Sequence, residues 1–202
     1  MAVSQNRFKR QVKSRRYNKI FFIACEGAVT EPGYFNNLKS ILPSCNPNIS
    51  LHCLDGHNHS APMQVLQRIK EYVLSEKFKD DLDEAWLVVD KDDWDDEQLM
   101  LLYEWSQEKE NYGFALSNPS FEYWLLLHFE DGNSITENTC LKRLKKHWPG
   151  YNKKIEAKYF SEVKIKEAIK RATLRDNPPC KSWPQKVGCT TVYRLVERIL
   201  LT

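Results

Sequence analysis

No stretch of the 202-residue chain approaches the ~20 consecutive apolar residues that a bilayer-spanning helix requires. Its start, MAVSQNRFKRQVKSRRYNK, is basic but has no apolar run leading to a cleavage site, so a secretory signal is not expected. The six cysteines (Cys25, Cys45, Cys53, Cys140, Cys180, Cys189) include no CxxC pair, which argues against a zinc ribbon or a thiol redox motif. Without an export signal a disulfide framework is not expected either, and a reducing cytoplasm is the expected compartment. The phosphate loop GxxxxGK[ST] is missing, so the chain is not expected to hydrolyse ATP by itself. There is no internal repeat and no low-complexity segment.

What is present is a globular composition with an uneven distribution of charge. Hydrophobic residues make up 42%, with six Trp, nine Tyr and nine Phe to fill a core, while 28% charged residues keep the chain soluble. The net charge of +3 conceals three regimes. Residues 1–25 hold seven bases and no acid; residues 26–140 hold 22 acids and seven bases; residues 141–202 hold 16 bases and five acids. An acidic middle between basic ends suggests a nucleic-acid partner, or a metal held by acids beside a polyanion held by bases.

Residues 1–18 read as a basic flexible arm. From 19 to 130 short apolar runs alternate with helical periodicity: strands at KIFFIAC (19–25), ISLHCL (49–54), AWLVV (85–89) and GFALS (113–117). Helices are expected from Glu31 to Leu42, after Ser60 with Met63, Leu66, Ile69 and Val73 inward, from Trp94 to Lys109, and from Phe121 to Phe129. This alternation predicts an α/β fold, a mostly parallel four-stranded sheet with helices on both faces and a functional edge at the strand C-termini. Residues 131–202 read as a helical C-terminal extension packed on the core, with helices over Leu141–Trp148, Ser161–Leu174 and Thr190–Leu201.

Three acidic clusters fall at that edge: Glu26 after the first strand with Glu31 opening the next helix, Asp90, Asp92 and Asp93 after the third, and Glu122 after the fourth. Convergent carboxylates repel one another unless a cation compensates, and oxygen ligands favour Mg²⁺ or Mn²⁺. Glu26, Asp90 and Asp92 are the expected catalytic centre, and Glu26, Asp90, Asp92, Glu122 and Glu31 the expected metal ligands. Asp93 stays open between ligand and cap, and Asp95, Asp96 and Glu97 read as helix-dipole partners. Lys142, Arg143, Lys145 and Lys146, beside Trp148 and Tyr151, fit a phosphate backbone with stacked bases or, equally, a solvated helix face. Asn118 is a candidate nucleic-acid contact or a turn residue, His57 and His59 read as loop residues, and His128 as a satisfied core histidine.

The segments ACEGAVTEPGYFNNL (24–38), WLVVDKDDW (86–94) and SNPSFEYWLLLHF (117–129) resemble, in this order, those of RloB-like proteins, with a weaker echo in TTVYRLVERIL (190–200). The resemblance implies a divergent Toprim fold, the fold of topoisomerases, primases and overcoming-lysogenization-defect nucleases. It also implies a Toprim metal site with Glu26 after the first strand and the Asp90–Asp92 pair after the third. The family's TE and SNPxFE motifs map to Glu31, Asn118 and Glu122, whereas Ala28 and Val29 stand where relatives often carry polar residues. Such proteins are typically encoded beside an AAA-type ATPase in prokaryotic anti-phage loci, where they are thought to be the nuclease effector.

The function expected from these readings is a Mg²⁺- or Mn²⁺-dependent endonuclease hydrolysing phosphodiesters in DNA or RNA, with an ATPase partner and a possible homo-oligomeric state. The alternative is a non-catalytic metal- or nucleotide-binding adaptor subunit of such an ATPase complex. A phosphoryl-accepting receiver-like domain is disfavoured, because the acidic pair follows the third strand and not the first.

Overall fold

The computed structural model describes residues 18–41, 48–56, 61–91 and 94–202. The basic amino-terminal segment up to residue 17, the His57–His59 pair, Asp92 and Asp93 lie outside the described residues. In chain order the elements are β1 (Lys19–Cys25), α1 (Thr30–Ile41), β2 (Ile49–Leu54), α2 (Pro62–Val73), β3 (Glu84–Asp90), α3 (Asp96–Ser106) and β4 (Tyr112–Asn118). There follow α4 (Phe121–Leu126), α5 (Glu137–His147), α6 (Glu162–Arg175), β5 (Cys189–Thr190) and α7 (Val192–Leu201). The sheet order is β2-β1-β3-β4-β5. The first four strands are parallel and β5 runs antiparallel to β4. The protein is thus an α/β fold, a mostly parallel sheet flanked by helices with additional C-terminal helices, a Toprim-like arrangement.

Strand alternation divides the apolar residues between two cores. Phe21, Ile23 and Cys25 of β1 point to the face covered by α1 and α4–α7, and Phe22 and Ala24 to the face covered by α2 and α3. Strands buried on both sides are the reason KIFFIAC reads as continuous and not alternating. On α2 the buried stripe is Pro62, Val65, Leu66 and Ile69, an i, i+3, i+4, i+7 set. Met63, expected inward, lies one position round from that stripe and is 40% exposed. Asp95 caps α3 by accepting from the Gln98 amide, so its place is that of a helix cap.

The two-residue β5 has no periodicity to betray it. Residue pairs Ser117–Thr190 and Asn118–Cys189 add it to the sheet, which is why the last helix begins at Val192 and not at Thr190. The helix from Phe121 also stops early, because His128 and Phe129 donate to the carbonyls of Leu125 and Leu126 in a tightened three-residue turn. Apolar residues of α5, α6 and α7, among them Leu144, Ile165, Val196 and Ile199, join the same buried cluster as β1 and α1.

Candidate acidic pocket at the sheet edge

The ends of β1 and β3 lie side by side, and the chain uses that proximity to fix its first acid. Glu26 continues β1 with its amide donating to the Val88 carbonyl at 2.9 Å. Its Oε2 accepts from the Asp90 amide and its Oε1 from the Trp94 indole, both at 2.9 Å. Glu31, in the first turn of α1, folds back so that its Oε1 accepts from the Gly27 amide at 3.1 Å. Glycine leaves room for that approach: a Cβ on residue 27 would sit 2.1 Å from Glu31 Oε2, and the carboxylate would have to move. Glu122, in the first turn of α4, accepts from the Ser120 hydroxyl at 2.9 Å and from the Tyr151 hydroxyl at 3.0 Å.

Asp90 is different. It ends β3 opposite Ser117, and its buried Oδ1 has no hydrogen-bond partner among the described residues. Burial, then the neighbouring Glu31, Glu26 and Glu122, push its carboxyl well above the usual range. Glu31 is also raised, by burial first and by Glu122 next among the causes that raise it. Together Glu26, Glu31, Asp90 and Glu122 line a cavity of about 230 Å³, with Lys153 at its wall. Asp90, Glu122 and Lys153 also line a neighbouring cavity of about 530 Å³ that reaches Asn118 and Glu137.

Four carboxyl groups therefore share one cavity, yet the described residues do not form the expected metal centre. Among the described residues no group of three His, Cys, Asp or Glu side chains could hold a metal ion. The physical reason is visible in the bonds: Glu26, Glu31 and Glu122 aim oxygens at the chain's own amide, indole and hydroxyl donors, so the oxygens do not converge on one point. Asp92, the second acid of the expected pair, lies outside the described residues. The expectation of Mg²⁺ or Mn²⁺ as cofactor, of a metal-dependent nuclease and of hydrolase chemistry at this edge is corrected accordingly.

The remaining candidates are placed as follows. Asn118 is 4% exposed, and its amide donates to the carbonyls of Pro184 and Gln185 at 3.3 and 3.2 Å, holding the loop before β5. His128 is buried between the Trp124 carbonyl at 3.0 Å and the Tyr34 hydroxyl at 3.2 Å, and burial drives its pKa down to about 3. Lys142, Lys145 and Lys146 are exposed on α5, while Arg143 turns inward to the Asn133 carbonyl and to Glu130. Trp148 and Tyr151, expected beside them either as stacking aromatics or, for Trp148, as the anchor under a solvated helix face, are buried at 0% and 5% exposure, which fits the anchor.

Lys153 lines the pocket, Tyr151 and Trp94 bond to its acids, and none of the three is legible in that role in the sequence. Tyr151 reaches Glu122 across 29 positions and Trp94 reaches Glu26 across 68, distances over which no local spacing carries a signal. A family model described as RloB-like protein matches residues 21–199. No curated protein and no solved structure matches the chain. Among the described residues no helix is long and apolar enough to cross a membrane.

Proposed function

The chain belongs to the RloB-like protein family, and on that premise we propose that it is a non-catalytic adaptor subunit whose acidic sheet edge receives a cationic segment of a partner protein. The observation that supports this reading is the cavity among Glu26, Glu31, Asp90 and Glu122, a recess with four carboxyl groups and one amine, Lys153. Mutual repulsion and burial already raise Asp90 and Glu31. An Arg or Lys side chain of a partner offsets that repulsion through charge-assisted hydrogen bonds. A nucleotide phosphate would meet like charge in the same recess, so the adaptor takes a protein and not a nucleotide here. The partner we propose is the AAA-type ATPase that the resemblance implies.

Co-expression of the full chain with an ATPase encoded beside it tests the proposal. The parent is expected to co-purify with the ATPase, and the double substitution Glu31→Gln, Glu122→Gln to lose at least about tenfold in affinity, the worth of one charged contact. Thermal unfolding of the same variant shows that it is folded. Equal association of parent and variant would sink the assignment of this edge to the partner.

A further inference from the structure

We propose that the outer face of α5 binds the phosphate backbone of a nucleic-acid duplex without reading its bases. This surface is separate from the acidic pocket. Residues 137–175 hold twelve Lys and Arg against four Glu, and the bonding pattern sorts these cations into two sets.

The inward set clamps the turn that follows α4. Arg143 and His147 of α5 meet Glu130, and Arg171 of α6 meets Asp131 at 3.1 Å and the Leu127 carbonyl at 2.7 Å. Both acids of that turn are consumed in this way. The outward set, Lys142, Lys145 and Lys146, is exposed and has no ion pair among the described residues. A solvated helix face ordinarily carries acids three or four positions from its lysines, as Glu162 and Lys166 do on α6. On α5 the positions at that spacing from Lys142, Lys145 and Lys146 are apolar, uncharged or themselves basic. Like charges at i, i+3 and i, i+4 destabilise a helix. The negative C-terminal end of α5 accommodates a cation in its last turn but does not reach back to Lys142. A polyanion is the ligand that removes this repulsion.

Two observations decide which polyanion is bound. Trp148 and Tyr151 are buried, and Phe129 is covered by the His147 ring, stacked at 5.5 Å, and by the Lys164 amine at 4.7 Å. Among the described residues the face thus offers no exposed Trp, Tyr or Phe for an unstacked base, as a single-strand site requires, and the His147 ring is held against Phe129 and Glu130. Lysine is a point charge that holds phosphate without base specificity.

The test is fluorescence anisotropy of a short labelled DNA duplex with the full chain, over a salt series with EDTA present. The parent is expected to bind duplexes of different base composition alike, with affinity falling steeply with salt, and to bind a single strand no more tightly. Lys142→Glu with Lys146→Glu is expected to weaken binding at least about tenfold and to flatten the salt slope by about two, near one for each phosphate no longer neutralised. The charge-matched control, Lys77→Glu with Lys79→Glu in the loop between α2 and β3, is expected to stay close to the parent. Because all four substituted lysines are exposed, circular dichroism should show both variants folded. No duplex binding at low salt overturns the proposal. So does a variant that binds like the parent, a control that weakens binding as much, or a parent that prefers phosphatidylserine vesicles to duplex.

Discussion

Single side chains set the character of the acidic edge. Asp90 carries a buried oxygen with no partner among the described residues and is pressed by three other carboxyl groups, so the charged form is the costly one. Asp90→Asn removes that charge at nearly constant shape. We expect it to raise Tm at pH 8 by a few degrees, roughly 1 kcal/mol at ~3 °C per kcal/mol for a chain of this size. A fall in Tm would mean that the charge is stabilised. His128 works in the opposite sense with pH. Its folded pKa of about 3 lies below the ordinary value because burial outweighs the Trp124 carbonyl at Nδ1, which favours protonation, so the neutral ring is the folded form. The stability it contributes is complete above an unfolded pKa of ~6.5 and declines as pH falls toward the folded value, by about 2 kcal/mol between pH 6.5 and 5. The raised acids Asp90 and Glu31 oppose this trend, because acid relieves them. The informative measurement is therefore Tm against pH for parent and His128→Gln, with the variant expected to lose less stability on acidification. Parallel curves would exclude His128 as the source.

At the level of elements, the C-terminal helices are tied to each other through one buried acid. Asp176 accepts from the Cys180 amide and the Tyr193 hydroxyl at 2.9 Å and from Arg194 at 2.7 Å. Burial pushes this carboxyl up, yet these hydrogen bonds outweigh burial and hold it below the usual range. Asp176→Ala leaves the end of α6, the following turn and the start of α7 without their common acceptor, and is expected to cost about 2–3 kcal/mol in urea unfolding. Tyr193→Phe, which removes one bond, should cost about 1 kcal/mol. Equal costs for the two would mean that Asp176 acts through something other than this set of bonds. The limits of sequence reading also lie at this level. KIFFIAC announces itself because burial on both faces forces a continuous apolar run, whereas ISLHCL is an edge strand with only its ends buried; both match β1 and β2 residue for residue. Glu26, Glu31, Asp90 and Glu122 come together because parallel strands share one C-terminal edge, which alternation alone predicts. What alternation cannot carry is the direction in which each carboxylate points. Trp94 and Tyr151 capture Glu26 and Glu122 through bonds between residues distant in sequence. Without those bonds in view, convergence of charge reads as convergence of ligand oxygens. Similarly, Trp148 beside four cations looks like a base platform until its burial is known.

For the whole molecule, the near-neutral net charge resolves into surfaces with opposite preferences. The strand-end cavity is lined by four carboxyl groups, and α5 presents lysines with no acid at helical spacing. An adaptor that takes a basic protein segment at one and a polyanion at the other needs no chemistry of its own. The same division separates an adaptor from the effector role expected of the family. The most direct test incubates the full chain with end-labelled duplex DNA and with tRNA in Mg²⁺ and in Mn²⁺, alongside Glu26→Ala and Asp90→Asn. For an adaptor, parent and variants alike are expected to leave both substrates intact. Cleavage by the parent that disappears in either variant would contradict the adaptor reading.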